Sequence, residues 1–355
     1  MKKIKHLFMI FLIPILLITG CGKGKDKGNT EPPKSSDGNN VTYAIKDFYP
    51  FKENIKMKYK GIGNEYAGKT IFTDYIKDDR IQIRVITGGT TSAQVLEVKD
   101  GELRLITSKG EFYHRENIIA AENKDYEILL KEPLAKGTTW TLPNGSKRFI
   151  SSLEKEIETP AGKFKAMEVT TENTEHTSYD YYVLNKGFVQ SIYKAKDMEV
   201  ITTLESIEEN QPVVQTVKFY YPNYAEDKIY FVKKTLNFKT NEDIKSILEK
   251  NFKETPNENL NKLLGGNATI NKVYLDSASN TVKIDFSDNF VKEMNAGSGL
   301  EMAILKCITN TLGDYFNVDK AMITIGGKPY SSGHIYMKEN ETVKIELGDA
   351  IEFKK

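Results

Sequence analysis

The chain has 355 residues, with 50 Lys and Arg against 49 Asp and Glu and a formal net charge of +1. That length accommodates two domains of ordinary size, each ~100–150 residues. The near-balance of charge argues against nucleic acid as a partner, because phosphate contacts need a basic face. Only two cysteines occur, Cys21 and Cys307.

Residues 1–20 open on Lys2, Lys3 and Lys5, continue through an apolar stretch from Leu7 to Ile18, and end in Thr19-Gly20 before Cys21. A basic start, an apolar core and small residues before a cleavage point make a secretory signal. The stretch is interrupted by Pro14 and falls short of the ~20 apolar residues of a permanent transmembrane helix. Ile18-Thr19-Gly20-Cys21 resembles a bacterial lipobox. The resemblance implies cleavage before Cys21, a diacylglyceryl thioether on its sulfur, acylation such as palmitate, and anchoring on the extracytoplasmic face of the cell membrane. Loss of three lysines with the signal leaves the remainder slightly acidic. If Cys21 is lipidated, Cys307 has no intrachain partner. Its apolar, helical surroundings from Ala303 to Ile308 make it a core thiol rather than a nucleophile.

Residues 21–40 hold the lipidation site and then no large apolar side chain. Such a composition cannot offset its ordering entropy and predicts a disordered tether, with a root-mean-square reach of roughly 25 Å.

Residues 41–210 read as strands. The segments 70–76, 80–86, 93–98, 164–169, 179–184 and 200–204 alternate apolar with polar side chains, the period of a half-buried strand. Polar breaks at 77–79 and 99–102 predict hairpin turns. Short strands at regular spacing predict an antiparallel sheet curved into a barrel or half-barrel. Pro133 to Trp140, Thr159 to Phe164 and Tyr181 to Val189 also resemble turns of a sheet-rich module of other bacterial lipoproteins. Tyr179 and Tyr181 fall on one face of their strand and Tyr182 on the other. A ligand-holding cup therefore stays open as an alternative function.

Residues 211–355 change character. Strands are expected at 217–223 and 229–236. A helix follows, with Thr240 and Asp243 as an approximate capping box and Ile244, Ile247, Leu248 and Phe252 on one face. A hairpin turns at Asp276 to Asn280. A second helix starts near Ser298 and buries Leu300, Ala303, Ile304, Cys307, Ile308 and Leu312. A last hairpin turns at Gly326-Gly327. Two helices on one face of a small sheet complete an α+β chain.

This second half resembles the GerMN (germane) family of sporulation and spore germination. The carriers are Val217 to Asn223, Val273 to Leu275, Val282 to Phe290, Gly297 to Glu301, Ile304 to Leu312, Ala321 to Lys328 and Gly333 to Ile335. Two departures stand out. Leu263 to Asn267 replaces a proline-containing loop, and residues 41–210 show no second copy of the domain. The resemblance implies a non-enzymatic module for protein–protein assembly in the cell envelope, with protein partners and no cofactor.

The residues themselves offer little chemistry. His114 and His176 lie in polar, turn-like sequence and His334 beside a glycine, so each reads as a solvated surface histidine. Asp285 and Asp288 flank Phe286-Ser287, where an acid–base pair competes with a turn or cap; the cap is favoured. The run 276–280 lacks the length and closing glutamate of an EF-hand loop. No zinc-site spacing or nucleophile motif occurs.

Overall fold

Alternating side chains build one large sheet from the first half of the chain. The structure, a computed structural model, describes residues 42–354. The signal, Cys21 and the segment to residue 40 lie outside the described residues. After a single-turn helix α1 (Ile45–Phe48) come β1 (Lys56–Ile62), β2 (Lys69–Lys77), β3 (Arg80–Thr87), β4 (Thr91–Lys99), β5 (Glu102–Lys109) and β6 (Glu127–Lys131). They are followed by β7 (Thr139–Thr141), β8 (Lys147–Thr159), β9 (Gly162–Glu172), β10 (His176–Val183), β11 (Gly187–Ala195) and β12 (Met198–Glu208).

All twelve form one sheet in the order β6-β5-β4-β3-β2-β1-β12-β11-β10-β9-β8-β7. Every pairing is antiparallel, as the sequence pattern predicts. The sheet curls into a nearly closed barrel. Its end strands β6 and β7 do not pair, but side chains bridge the seam. Trp140 Nε1 donates to the Ile128 carbonyl at 3.0 Å, and Arg148 Nη1 donates to the same oxygen at 2.8 Å. The interior is lined by a core that includes Ile81, Ile83, Leu96, Leu103, Leu130, Ile150, Met167 and Val169.

The second half holds β13 (Val213–Asn223), β14 (Lys228–Phe238), helix α2 (Ile244–Lys253), β15 (Ile270–Asp276), β16 (Thr281–Phe286), helices α3 (Asn289–Met294) and α4 (Ser298–Phe316), and β17 (Lys320–Ile325). β13 and β14 pair antiparallel, and short segment Ile351–Glu352 runs parallel to β14. β15, β16 and β17 make a second sheet, with β16 and β17 parallel across the α3–α4 crossover. Phe219, Phe252, Phe286 and Phe290 are fully buried in one core with Leu248, Ile308 and Leu312. Each such side chain contributes ~1.5–3 kcal/mol by burial.

The expected helix faces are the buried ones, but two details differ. Asp243, and not Thr240, caps α2: its carboxylate accepts from Ser246 N at 2.9 Å. Thr240 instead joins the two halves of the chain, accepting from Asn54 N at 2.8 Å and donating to the Thr73 carbonyl at 3.1 Å. The six-residue α3, whose period is too short to stand out in the sequence, adds a third helix to this half. Among the described residues no helix is long and apolar enough to cross a membrane.

Candidate functional site

Thr42–Lys355 form one compact unit, and a buried ionic cluster sits where the barrel meets the second half. A β-bulge in β2 breaks its register with β3 between Thr73 and Tyr75, so Asp74 leaves the alternation of its strand. Asp74, Arg84 and Arg115 are 0%, 2% and 1% exposed. Arg115 Nη1 reaches Asp74 Oδ1 at 3.0 Å, and its Nη2 donates to the carbonyls of Asp74 at 2.8 Å and Lys239 at 2.7 Å. Its Nε donates to the Glu242 carbonyl at 2.5 Å. Arg84 Nη2 lies 3.0 Å from Asp74 Oδ2 without the alignment of a hydrogen bond. That Nη2 donates to the His114 carbonyl, Nη1 to the Phe112 carbonyl, and Nε to Asp74 Oδ1 at 3.4 Å. The loop between β5 and β6 is thereby gripped and made to present Arg115 to the second half. Beside this cluster Arg115 N donates to Tyr315 Oη at 2.7 Å, and Tyr315 Oη donates to Gln215 Oε1 at 3.1 Å.

The barrel encloses a cavity of about 320 Å³. Its wall is mainly aliphatic, from Ile71, Ile81, Ile83, Leu96, Leu105 and Leu129, and Tyr49, Pro50 and Lys52 just after α1 contribute to it. Four charged side chains line this space: Lys69 at the start of β2 and Asp180 in β10, both half-buried, and the exposed Lys52 and Lys186. Lys69 and Asp180 are surrounded by protein yet keep some surface, because that surface faces the cavity. Lys69 Nζ lies 4.7 Å from the Phe188 ring centre and 5.3 Å from that of Tyr59. Burial lowers the Lys69 ammonium pKa, against the attraction of Asp180. Burial raises the Asp180 carboxyl pKa, opposed by a hydrogen bond from Ser191 and by the charges of Arg148 and Lys69. Tyr59 Oη donates to the Phe188 carbonyl at 2.8 Å. Burial pushes the Tyr49 hydroxyl up to about 12. Alternation along β10 puts Asp180 and Tyr182 on this lining, whereas Tyr181 packs with Ala166 and Leu204 in a separate cluster.

The residues singled out in the sequence have other roles. His114 is 6% exposed, its ring 5.1 Å from Phe112 and 4.9 Å from Phe316. It is therefore a packed histidine, and its reading as a solvated one is corrected. His176 lies half-buried against Tyr193 on β10, and His334 is exposed. Asp285 fixes the final hairpin: its carboxylate accepts from Thr324 at 2.6 Å, Gly327 N at 2.7 Å and Asn271 at 2.8 Å. Burial alone would raise its pKa, but these hydrogen bonds outweigh burial and hold it below the usual range. Asp288 occupies the cap position of α3 without a capping bond from its side chain; the expected cap is corrected there. Neighbouring Ser287 Oγ accepts from Thr269 N at 3.0 Å. Asp276 to Asn280 is a hairpin turn in which Asp276 pairs with Lys283 at 2.8 Å. Cys307 is buried in the second core, where desolvation drives its thiol pKa far up. Among the described residues, no group of three or more His, Cys, Asp or Glu is placed to hold a metal ion.

Sequence reasoning missed Asp74, Arg84, Arg115, Lys69 and Asp180. For Asp74 the one local signal is a charge at an inward position between Thr73 and Tyr75.

No curated protein matches the chain. Of solved structures, one similar chain is described as an exported protein with a YmcC-like fold from Bacteroides fragilis. It is 13% identical, with 46% of this chain and 99% of that chain covered and a TM-score of 0.30. A second, described as a lipoprotein from Parabacteroides distasonis, is 15% identical over 45% of this chain and 98% of its own, with a TM-score of 0.30. A third contains the tandem GerMN domains of the sporulation protein GerM from Bacillus subtilis. It is 22% identical over 39% of this chain and 45% of its own, with a TM-score of 0.27. The family model Germane, described as "Sporulation and spore germination", matches residues 218–331. The second half of this chain therefore carries a GerMN domain of the Germane family.

Proposed function

We propose that the chain is a lipid-anchored protein of the cell envelope whose GerMN domain assembles with other proteins, without catalysis, in sporulation or spore germination. The observation that carries this reading is the Germane match over residues 218–331. The geometry is compatible with it in two ways. Among the described residues strand β15 pairs with β16 on one side only, so beyond Ile270, whose N–H donates to Glu249, its other edge is open, and an open edge is a template for adding a strand from a partner. Asn271 and Lys272 on that edge are exposed. The Asp74–Arg84–Arg115 cluster fixes the domain to the barrel, so an anchor at Cys21 would position both halves together.

The test is recovery of the tagged full chain from detergent-solubilised envelopes of cells entering sporulation. The expected result is an envelope protein that co-purifies in near-stoichiometric amount and is lost with Cys21→Ala. Recovery of the chain alone overturns the assembly role. Membrane fractionation of the Cys21→Ala chain unchanged from the original overturns the anchor.

A further inference from the structure

An assembly role leaves the barrel cavity unused, and the cavity carries its own chemistry. About 320 Å³ is roughly twice the ~150 Å³ of an apolar cavity that takes up benzene. It lies near the lower end of the ~300–1,000 Å³ typical of ligand pockets, which suits one slender molecule rather than a multi-chain lipid. Among the described residues, Lys69 makes no hydrogen bond or ion pair and faces only aromatic rings and the charge of Asp180. An ammonium enclosed this way, with its three donors unmet, is costly unless an acceptor arrives.

We propose that the barrel binds a single-chain aliphatic carboxylate, its head group paired with Lys69 and its chain lying against Ile71, Ile83, Leu96 and Leu105. Of the half-buried charges in the cavity Lys69 is the one cation and Asp180 the one anion, which favours a head with a single negative charge over a doubly charged phosphate. The aliphatic wall rewards an unbranched apolar chain by burial. This site is independent of the assembly role, since all the residues named lie before residue 218.

The experiment is calorimetric titration of the full chain, purified and washed free of lipid, with decanoate and with decanol, which has the same chain and no charge. Decanoate is expected to bind at least tenfold more tightly. Lys69→Met keeps the packing on Tyr59 and Phe188 and is expected to abolish that preference while leaving decanol binding unchanged. Ile71→Trp, which fills the aliphatic part of the cavity, is expected to weaken both. Equal affinity of the unaltered chain for the two probes overturns the head-group assignment, as does a preference that survives in Lys69→Met. Binding of neither probe overturns the site altogether. The two-probe comparison in the unaltered chain decides the matter even where a variant does not fold. Failure here would leave a co-purification result untouched.

Discussion

Arg115→Met tests whether the buried cluster is what makes the two halves one unit. The guanidinium satisfies one carboxylate oxygen and the carbonyls of Asp74, Lys239 and Glu242, and its plane lies 4.8 Å and 5.0 Å from the rings of Tyr75 and Phe238. Methionine fills much of that volume, so the lost packing is small. What remains is an Asp74 paired with Arg84 alone, a Glu242 carbonyl that has lost this donor, and carbonyls of Asp74 and Lys239 that keep only Asn241 N and Glu242 N as donors. Breaking a buried ion pair by removing one partner costs ~3–5 kcal/mol, a large fraction of the ~5–15 kcal/mol that stabilises a native protein. At ~2–4 °C per kcal/mol for a large domain, Tm should fall by roughly 6–20 °C. Because two of the four acceptors, the carbonyls of Lys239 and Glu242, belong to the second half, the loss should also split one melting transition into two. Trp140, the only tryptophan in the chain, sits on the barrel seam, so its fluorescence follows the barrel while far-ultraviolet circular dichroism follows the whole chain. A Tm within about 2 °C of the original, with both signals still coincident, would refute the reasoning.

Three further outcomes follow from other parts of the fold. Cys307 should resist iodoacetamide in the native protein and react once denaturant unfolds the second core, because burial disfavours its thiolate; rapid native alkylation would contradict this. Tyr75 and Tyr220 have hydroxyls pushed up to about 12, mainly by burial. A pKa raised by folding gives stability that is complete below the unfolded value of ~10 and is lost as pH rises through the folded value. Denaturation midpoints should therefore be insensitive to these groups up to about pH 10 and fall between about 10 and 12; a midpoint that stays level across that range would oppose it. Gly61→Ala should destabilise the β1–β2 connection by at least ~1 kcal/mol, since a Cβ there would lie 2.1 Å from Gly68 N; urea melts showing unchanged stability would contradict the close approach.

Much of the barrel is legible in the sequence because a half-buried hairpin announces itself twice, by alternation and by its turn. Tyr75-Ile76-Lys77 and Arg80-Ile81-Gln82 close on Asp78, which takes the left-handed conformation at φ 53°, and the polar break alone predicts the turn. Pro160 to Gly162 and Asn185 to Gly187 likewise turn where the sequence places them. The site residues are less legible because their partners are distant. Arg115 reads as one polar residue in a polar loop, yet its acceptors at Lys239 and Glu242 are more than a hundred residues away. His114 is misread for the same reason: Phe316, which buries it, lies on α4. Lys69 begins a strand as surface lysines commonly do, and only closure of the sheet brings Tyr59, Phe188 and Asp180 around it. Thr240 and Asp243 show the local limit of pattern reading, since each suits a helix cap and tertiary hydrogen bonds assign one of them elsewhere.

The central claim, that the GerMN domain is the part of the chain that meets other proteins, is tested most directly by site-specific photocrosslinking in intact envelopes. A photoreactive residue at Lys272, exposed on the open edge of β15, is compared with one at Lys196, exposed in the β11–β12 turn of the barrel. Discrete protein adducts are expected from position 272 and none from position 196. Adducts from 196 with none from 272 would move the partner-binding surface to the barrel and contradict it.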